Sequence, residues 1–378
     1  MKKCYKYRLY PTKKQTQKLE WTLDKCRVLY NSCLLDRKNR YKQTGKGLSR
    51  IDQQVILKND KDKFDFLTDI HSQVLQDVLF RVDKSFKAFF RRVKAKEKAG
   101  YPRFKGEKRY DSITYPQEPG FQITPQGLKL SKIGTIKIKL HRYIVGTLKT
   151  CTIRKQNDKW YTCFSVEYQN TPLPKSDKAV GIDVGLENFA TLSNQEKITN
   201  PRFFKTDQRV LTKVQRKLSK LDKSTPERQK FKKVISRIYE RISNRRHNFI
   251  HQETRKIVNN FGVICIEKLN VQNMMSNQTK IFGNKLNKSI ADVAWVQFAN
   301  VLSYKAEEAG RQVVAINPRG TSQQCSQCGS IVKKELSVRW HDCPVCNIHL
   351  HRDYNASLNI LALGTQSLGF ALEAPTNL

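Results

Sequence analysis

The sequence has no run approaching eighteen apolar residues, and its first segment, MKKCYKYRLY, alternates polar with apolar where a secretory leader would need a continuous apolar stretch. A cytoplasmic protein with no membrane partner is expected. Acidic residues are scarce, 33 Asp plus Glu against 71 Lys plus Arg, a formal net charge of +38 that would repel itself unless a polyanion neutralised it. With 14 Tyr, 18 Phe and 4 Trp available to stack on bases, nucleic acid is the expected partner. The basic residues are spread over the whole chain, which argues against a membrane-surface helix. No internal repeat is evident. At 378 residues the chain is long enough for two or three domains.

Cysteine is also sparse once one array is set aside. Cys325, Cys328, Cys343 and Cys346 form a C-x2-C, fourteen residues, C-x2-C pattern, while Cys4, Cys26, Cys33, Cys151, Cys163 and Cys265 are scattered among apolar neighbours as ordinary core residues. Paired thiolates at this spacing suit one tetrahedral Zn2+ with no open position, so the zinc is read as structural. His341, His349 and His351 are read as surface or backbone-phosphate contacts, with replacement of one zinc ligand as the alternative.

Periodicity places the elements. CYKYRLYP puts Tyr5, Tyr7 and Leu9 on one face of a strand, and a helix follows from about Lys13. Val74, Val78, Val82, Phe86, Phe89 and Val93 make a helical stripe that ends at AGYPRFKG. From about Ser112 to Tyr168 the pattern turns to short β-runs, the last a hairpin around Asn157 and Asp158. TPLPKSDK reads as a linker. AVGIDVGLENFATLS then gives two strands around a glycine turn, followed by basic helices at about 205–222 and 226–258, the first lined by Leu211, Val214, Leu218 and Leu221, the second by Phe231, Val234, Ile238 and Ile242. VICIEKLN reads as a buried strand, SIADVAWVQFANVLSYKAEEAG as one helix, and RQVVAINP as a strand.

Two carboxylates interrupt apolar strands: Asp183 in AVGIDVG and Glu267 at the end of GVICIE. An isolated buried carboxylate costs several kcal/mol, which a metal would offset. Asp353 heads the helix RDYNASLNILAL. Strand acid, strand acid, helix acid is the layout of an RNase H-like site, in which hard Mg2+ ions take oxygen ligands and activate water against a phosphodiester.

The set GIDVGLENFATLS, VICIEKLN, KSIADVAWVQF, NPRGTSQQCSQCG, LSVRWHDCPVC and HRDYNASLNI, with KYRLYPTKKQ and AGYPRFKGEKRYDSITYP earlier, resembles the TnpB (OrfB) family of transposon-encoded, RNA-guided DNA endonucleases related to type V CRISPR nucleases. The resemblance covers nearly the whole chain. It implies a multidomain α+β protein: a wedge-type β-barrel (1–11 and 99–172) with a helical recognition lobe inserted (12–98), then an RNase H-like (RuvC) α/β nuclease domain (173–320 and 351–378) carrying the helical hairpin at 205–258 and an inserted zinc-ribbon-like module (321–350).

It implies further that Asp183, Glu267 and Asp353 hold two catalytic Mg2+ ions, which Mn2+ can replace, that the four cysteines hold one Zn2+, and that the third cofactor is a guide RNA. The partners implied are that guide, derived from the transposon end, target double-stranded DNA beside a short flanking motif, and in function the element's own transposase, with action at the nucleoid. Gln76 and Tyr115 are candidate readers of the flanking motif, ordinary surface residues being the alternative for each. Two other classes stand against this reading: a DNA-strand transferase working without RNA, and a non-catalytic repressor, which the three intact acids oppose.

Overall fold

In strand β1 (Lys2–Tyr10) the alternation buries Tyr5, Tyr7 and Leu9, as period two demands. The computed structural model describes residues 1–369 except 108, 272–273, 275–282 and 336, and the chain divides into two units, Met1–Gln169 and Asn170–Leu378. The end of the expected nuclease domain, 370–378, therefore lies outside the described residues.

In the first unit, three helices lie between β1 and β2 (Ser112–Tyr115): α1 (Lys13–Thr44), α2 (Arg50–Asp60) and α3 (Ser72–Lys94). Capping boxes start two of them, Thr12 with Gln15 and Ser49 with Asp52. Helix α3 buries Val74, Leu75, Val78, Leu79, Val82 and Phe86, while Val93 at its end is exposed. Strands β3 (Phe121–Thr124), β4 (Gly127–Leu130), β5 (Gly134–Lys139), β6 (Thr147–Gln156) and β7 (Lys159–Glu167) complete a seven-stranded antiparallel half-barrel in the order β2-β6-β7-β1-β5-β4-β3. The β6–β7 turn is at Asn157 and Asp158, both with positive φ, as a two-residue primed turn requires.

Two expectations need correcting here. Tyr115 is a core residue, 1% exposed, and its hydroxyl donates to the Ser131 carbonyl at 3.1 Å, so its ring is not offered to a base in this structure. Cys4 is exposed, because β1 turns it to the face opposite Tyr5 and Tyr7. Gln76 is exposed on α3.

In the second unit, β8 (Ala179–Val184), β9 (Asn188–Leu192), β10 (Lys197–Thr199), β11 (Val263–Glu267) and β12 (Gln312–Ile316) form a sheet in the order β10-β9-β8-β11-β12. β8, β11 and β12 run parallel, and β9 and β10 extend the sheet antiparallel. Helices α4 (Phe203–Ser219) and α5 (Pro226–Asn260) share a seam of Leu211, Ile238 and Ile242 with Val214 and Ile235 packed beside it, whereas Val234 is turned toward solvent. The single helix expected after residue 288 is two, α6 (Gly283–Val293) and α7 (Trp295–Ala309), separated at Ala294, whose φ of 58° is left-handed. Among the described residues no helix is long and apolar enough to cross a membrane.

Candidate active site and metal centre

Strand register places the first two carboxylates. β8 and β11 are paired in parallel up to Ile182 opposite Ile266, so the next residues along, Asp183 and Glu267, stand side by side at the carboxyl ends of adjacent strands. That end of a parallel sheet is where open α/β folds build ligand sites. The third carboxylate arrives on α8 (Arg352–Gln366), which lies across β8 and β11.

Two glycines permit that close approach. A Cβ at Gly181 would fall 2.1 Å from the Ser357 carbonyl oxygen and 2.6 Å from the Leu361 nitrogen, and one at Gly364 would fall 2.2 Å from the Cys265 sulfur. Gly181 lies two residues before Asp183, so the same contact that seats α8 brings its first turn to the acids. Gly181→Ala is expected to push α8 away at a cost of about 1–3 kcal/mol. A lowered melting temperature together with lost nuclease activity would show it; an unchanged melt would mean that the helix is not seated by this contact.

Asp183 feels the charge of both other acids. Burial raises the Asp183 carboxyl well above the usual carboxylate range, and the charges of Glu267 and then Asp353 push it the same way, with Arg352 as the opposing cation. Glu267 is also raised by burial, partly offset by the Thr321 hydroxyl, which donates to its Oε1 at 2.6 Å. Three hard oxygen donors are the chemistry that a divalent cation such as Mg2+ takes, although among the described residues the four cysteines alone already stand close enough together to hold an ion.

Asp353 sits in the first turn of α8, where a carboxylate is favoured by the helix dipole, and His351 caps that turn by accepting from the Asp353 amide at 3.3 Å.

The four cysteines lie immediately upstream. Their sulfurs all fall within 4.8 Å of one another, with Cys325 to Cys346 and Cys328 to Cys343 both 3.5 Å. A tetrahedral zinc–thiolate set has sulfur separations of about 3.8 Å, so the cluster fits Zn2+. The two halves are built alike. Gly329 donates its amide to the Cys325 carbonyl and Asn347 to the Cys343 carbonyl, both residues with positive φ, which turns each C-x2-C back on itself. The exposed Cys328 thiol is pulled down to about 6, chiefly by its hydrogen bond with Ser330, while the neighbouring Cys346 thiol is pushed the other way. None of the three histidines joins this cluster. His341 is buried beside Lys334, His349 pairs with Asp342 and stacks on Trp340, and His351 is the helix cap.

Side chains that the sequence reading missed join the cluster to α8. Asn355 donates to the Gln324 carbonyl at 2.8 Å and accepts from the Ser326 amide at 3.0 Å; Asn359 donates to the carbonyls of Thr321 and Gln324 at 2.8 and 2.7 Å. Arg352 reaches the carbonyl of Glu335 at 3.0 Å and the Ser322 hydroxyl at 3.3 Å. The cysteine-bearing loop is thus bolted to the helix that carries Asp353, and Thr321 passes the restraint to Glu267. The available signal was a pair of asparagines four residues apart beside Ala356 and Ile360 on a buried helix face.

Cys325→Ser and Cys346→Ser are each expected to take bound zinc from about one atom per chain to near none and to destabilise this end of the fold, because metal binding there is folding free energy. Elemental analysis and thermal unfolding measure both. Full zinc content in Cys325→Ser would remove that residue from the ligand set.

The chain matches three family models: OrfB_IS605, "Probable transposase", over residues 163–278; the "Cas12f1-like, TNB domain" over 295–360; and the OrfB_IS605 "Helix-turn-helix domain" over 1–46, residues that here form strand β1 and one long helix. A Streptomyces pristinaespiralis protein named "Putative RNA-guided DNA endonuclease" is 31% identical over 372 residues, spanning 96% of this chain and 90% of that one. The Escherichia coli (strain K12) protein of the same description, InsQ, is 29% identical over 96% of this chain and 92% of its own length. Among solved structures, the mini-RNA-guided endonuclease CRISPR-Cas_phi3 superposes with a TM-score of 0.53 at 11% identity, covering 99% of this chain and 94% of that one, which is a likeness of fold. By its identity to relatives along nearly their whole length, the chain belongs to the TnpB (OrfB) family of transposon-associated, RNA-guided DNA endonucleases.

Proposed function

We propose that the protein cleaves double-stranded DNA by two-metal phosphodiester hydrolysis, at a site chosen by a guide RNA and flanked by a short DNA motif. The observation that carries the chemistry is the convergence of Asp183, Glu267 and Asp353, one carboxylate from each of two adjacent parallel strands and one from a capped helix, with Asp183 raised by burial first and then by the other two. When bound, two Mg2+ ions would supply a nucleophilic water and neutralise the leaving oxygen.

The chain's own part is positional. β8 and β11 hold two carboxylates at neighbouring strand ends, the Thr321 hydroxyl orients Glu267, and the His351 cap fixes the turn that presents Asp353. The strand-strand-helix layout supports an RNase H-like (RuvC) assignment for 173–320 and 351–378, with 321–350 as the zinc module. The half-barrel sheet supports a wedge domain at 1–11 and 99–172 around a recognition lobe at 12–98. In this reading the guide derives from the transposon end, and the protein works alongside the element's transposase. The relatives' printed descriptions as RNA-guided DNA endonucleases support the RNA dependence.

The test is removal of RNA. Ribonuclease treatment of the purified protein is expected to abolish plasmid cutting in Mg2+, and re-addition of the copurifying RNA to restore it. Joining of transposon ends by the RNA-free protein would establish the strand-transferase reading instead.

A further inference from the structure

A second binding feature lies in the first unit, far along the chain from the carboxylates. The segment Tyr101 to Lys105 is fixed at both ends. The Asn31 side chain on α1 both donates to the Lys105 carbonyl at 3.0 Å and accepts from the Lys105 amide at 2.8 Å, the reciprocal pairing that a strand neighbour would make. Tyr101 is held edge-on against Phe86 and Phe89 of α3, with ring centroids 5.7 and 5.4 Å apart. Pro102 stiffens the stretch between them.

What this pinned segment presents is apolar and aromatic. Phe104 is 50% and Tyr101 46% exposed. With Pro102, Arg103, Leu34 and Lys38 they line a cavity of about 340 Å³. Two half-exposed aromatic rings flanking Pro102 make a contiguous apolar patch, the kind of surface that serves as a contact site. Arg103 and Lys38 at its rim are exposed cations, so the complementary ligand pairs a flat apolar face with an anion.

We infer that this cavity binds an unpaired nucleobase of single-stranded RNA, with Phe104 as the stacking face and Arg103 and Lys38 on the flanking phosphates. A base supplies the ring and its phosphates the charge, which an aliphatic or purely anionic ligand does not. RNA is favoured over DNA because loops and bulges keep bases unstacked before any encounter, whereas target DNA stays paired until it is opened. The clamp costs nothing at binding, since the segment is already ordered. The inference rests on the RNA-dependent reading above and adds to it a named contact for the guide.

The test uses the full chain freed of copurified RNA, at high salt so that phosphate contacts common to all polyanions are weakened. The probes are a single-stranded RNA, the same RNA annealed to its complement, and single-stranded DNA of the same sequence. Phe104→Ala is expected to weaken the single-stranded RNA about 5- to 150-fold, the range for loss of one stacked base. Binding of the RNA duplex should stay within about twofold. Phe104→Leu, which keeps the bulk and removes the ring, should resemble Phe104→Ala, and Phe104→Tyr should resemble the parent.

Equal losses on single-stranded and duplex RNA overturn the inference, as does unchanged RNA binding by Phe104→Leu with a normal melting temperature, or a loss confined to DNA. These outcomes are independent of cutting. A protein that kept Phe104-dependent RNA binding but cut without RNA would retain the pocket and lose the RNA-dependent reading.

Discussion

Asp183→Ala is expected to lower Mg2+-dependent DNA cleavage by at least about a thousandfold, ~4 kcal/mol of barrier at about 1.4 kcal/mol per tenfold, while target binding stays within about twofold. The asymmetry follows from position. Asp183 sits at a strand end facing two other carboxylates, whereas binding draws on a charge excess spread over the whole chain. Glu267→Ala and Asp353→Ala should behave alike. The same position also has a stability signature. A folded-state carboxyl raised above its unfolded value gives stability that is full below the unfolded value and is lost as pH rises through the folded one. At neutral pH in chelator, Asp183 therefore burdens the fold, and Asp183→Asn should melt no lower than the parent. A normal cutting rate by Asp183→Ala would end the two-metal assignment. A sharply lowered melt in Asp183→Asn would mean that the carboxylate is a structural partner.

The second large effect is a change of target without a change of protein. Phosphate contacts carry no sequence information, so a chain of net charge +38 alone grips DNA with little discrimination. Base pairing is what can add sequence choice. Replacing the guide segment of the bound RNA is expected to move cutting wholly to the newly complementary plasmid site, provided the flanking motif is present, and to abolish it at the old one. Protein alone, protein with the original guide and protein with the altered guide, each against plasmids carrying either target, decide the matter. Cutting indifferent to the guide would refute guide-directed choice.

How far the sequence could be read depended on the range over which each signal acts. The four cysteines were legible because ligand spacing is local, and Asp183 and Glu267 stood out because a carboxylate in an apolar strand is anomalous in any register, whereas Asp353 heads a helix, where an acid is ordinary. Tyr115 was misread although Ile113 alternates with it in SITY, and that alternation marks both as inward-facing. Ile235 and Ile238 occupy the seam and Val234 does not, because on a long basic helix either spacing gives an apolar stripe and only packing decides between them. The break at Ala294 carries no glycine or proline to announce it. Thr321 with Glu267 and Asn359 with Thr321 are pairs 54 and 38 residues apart, which only the folded topology brings together.

The order of these parts along the chain also sets a clock. Unit 1 ends at residue 169 and the last of the three carboxylates is residue 353, so 184 further residues must be made before the set is whole. At about 5–20 residues per second, synthesis of that stretch occupies roughly 10 to 40 s. A first unit that folds as it leaves the ribosome would present its Asn31-clamped aromatic cavity while α8 is still unmade. An RNA held there would then be in place before the three carboxylates could act on any DNA.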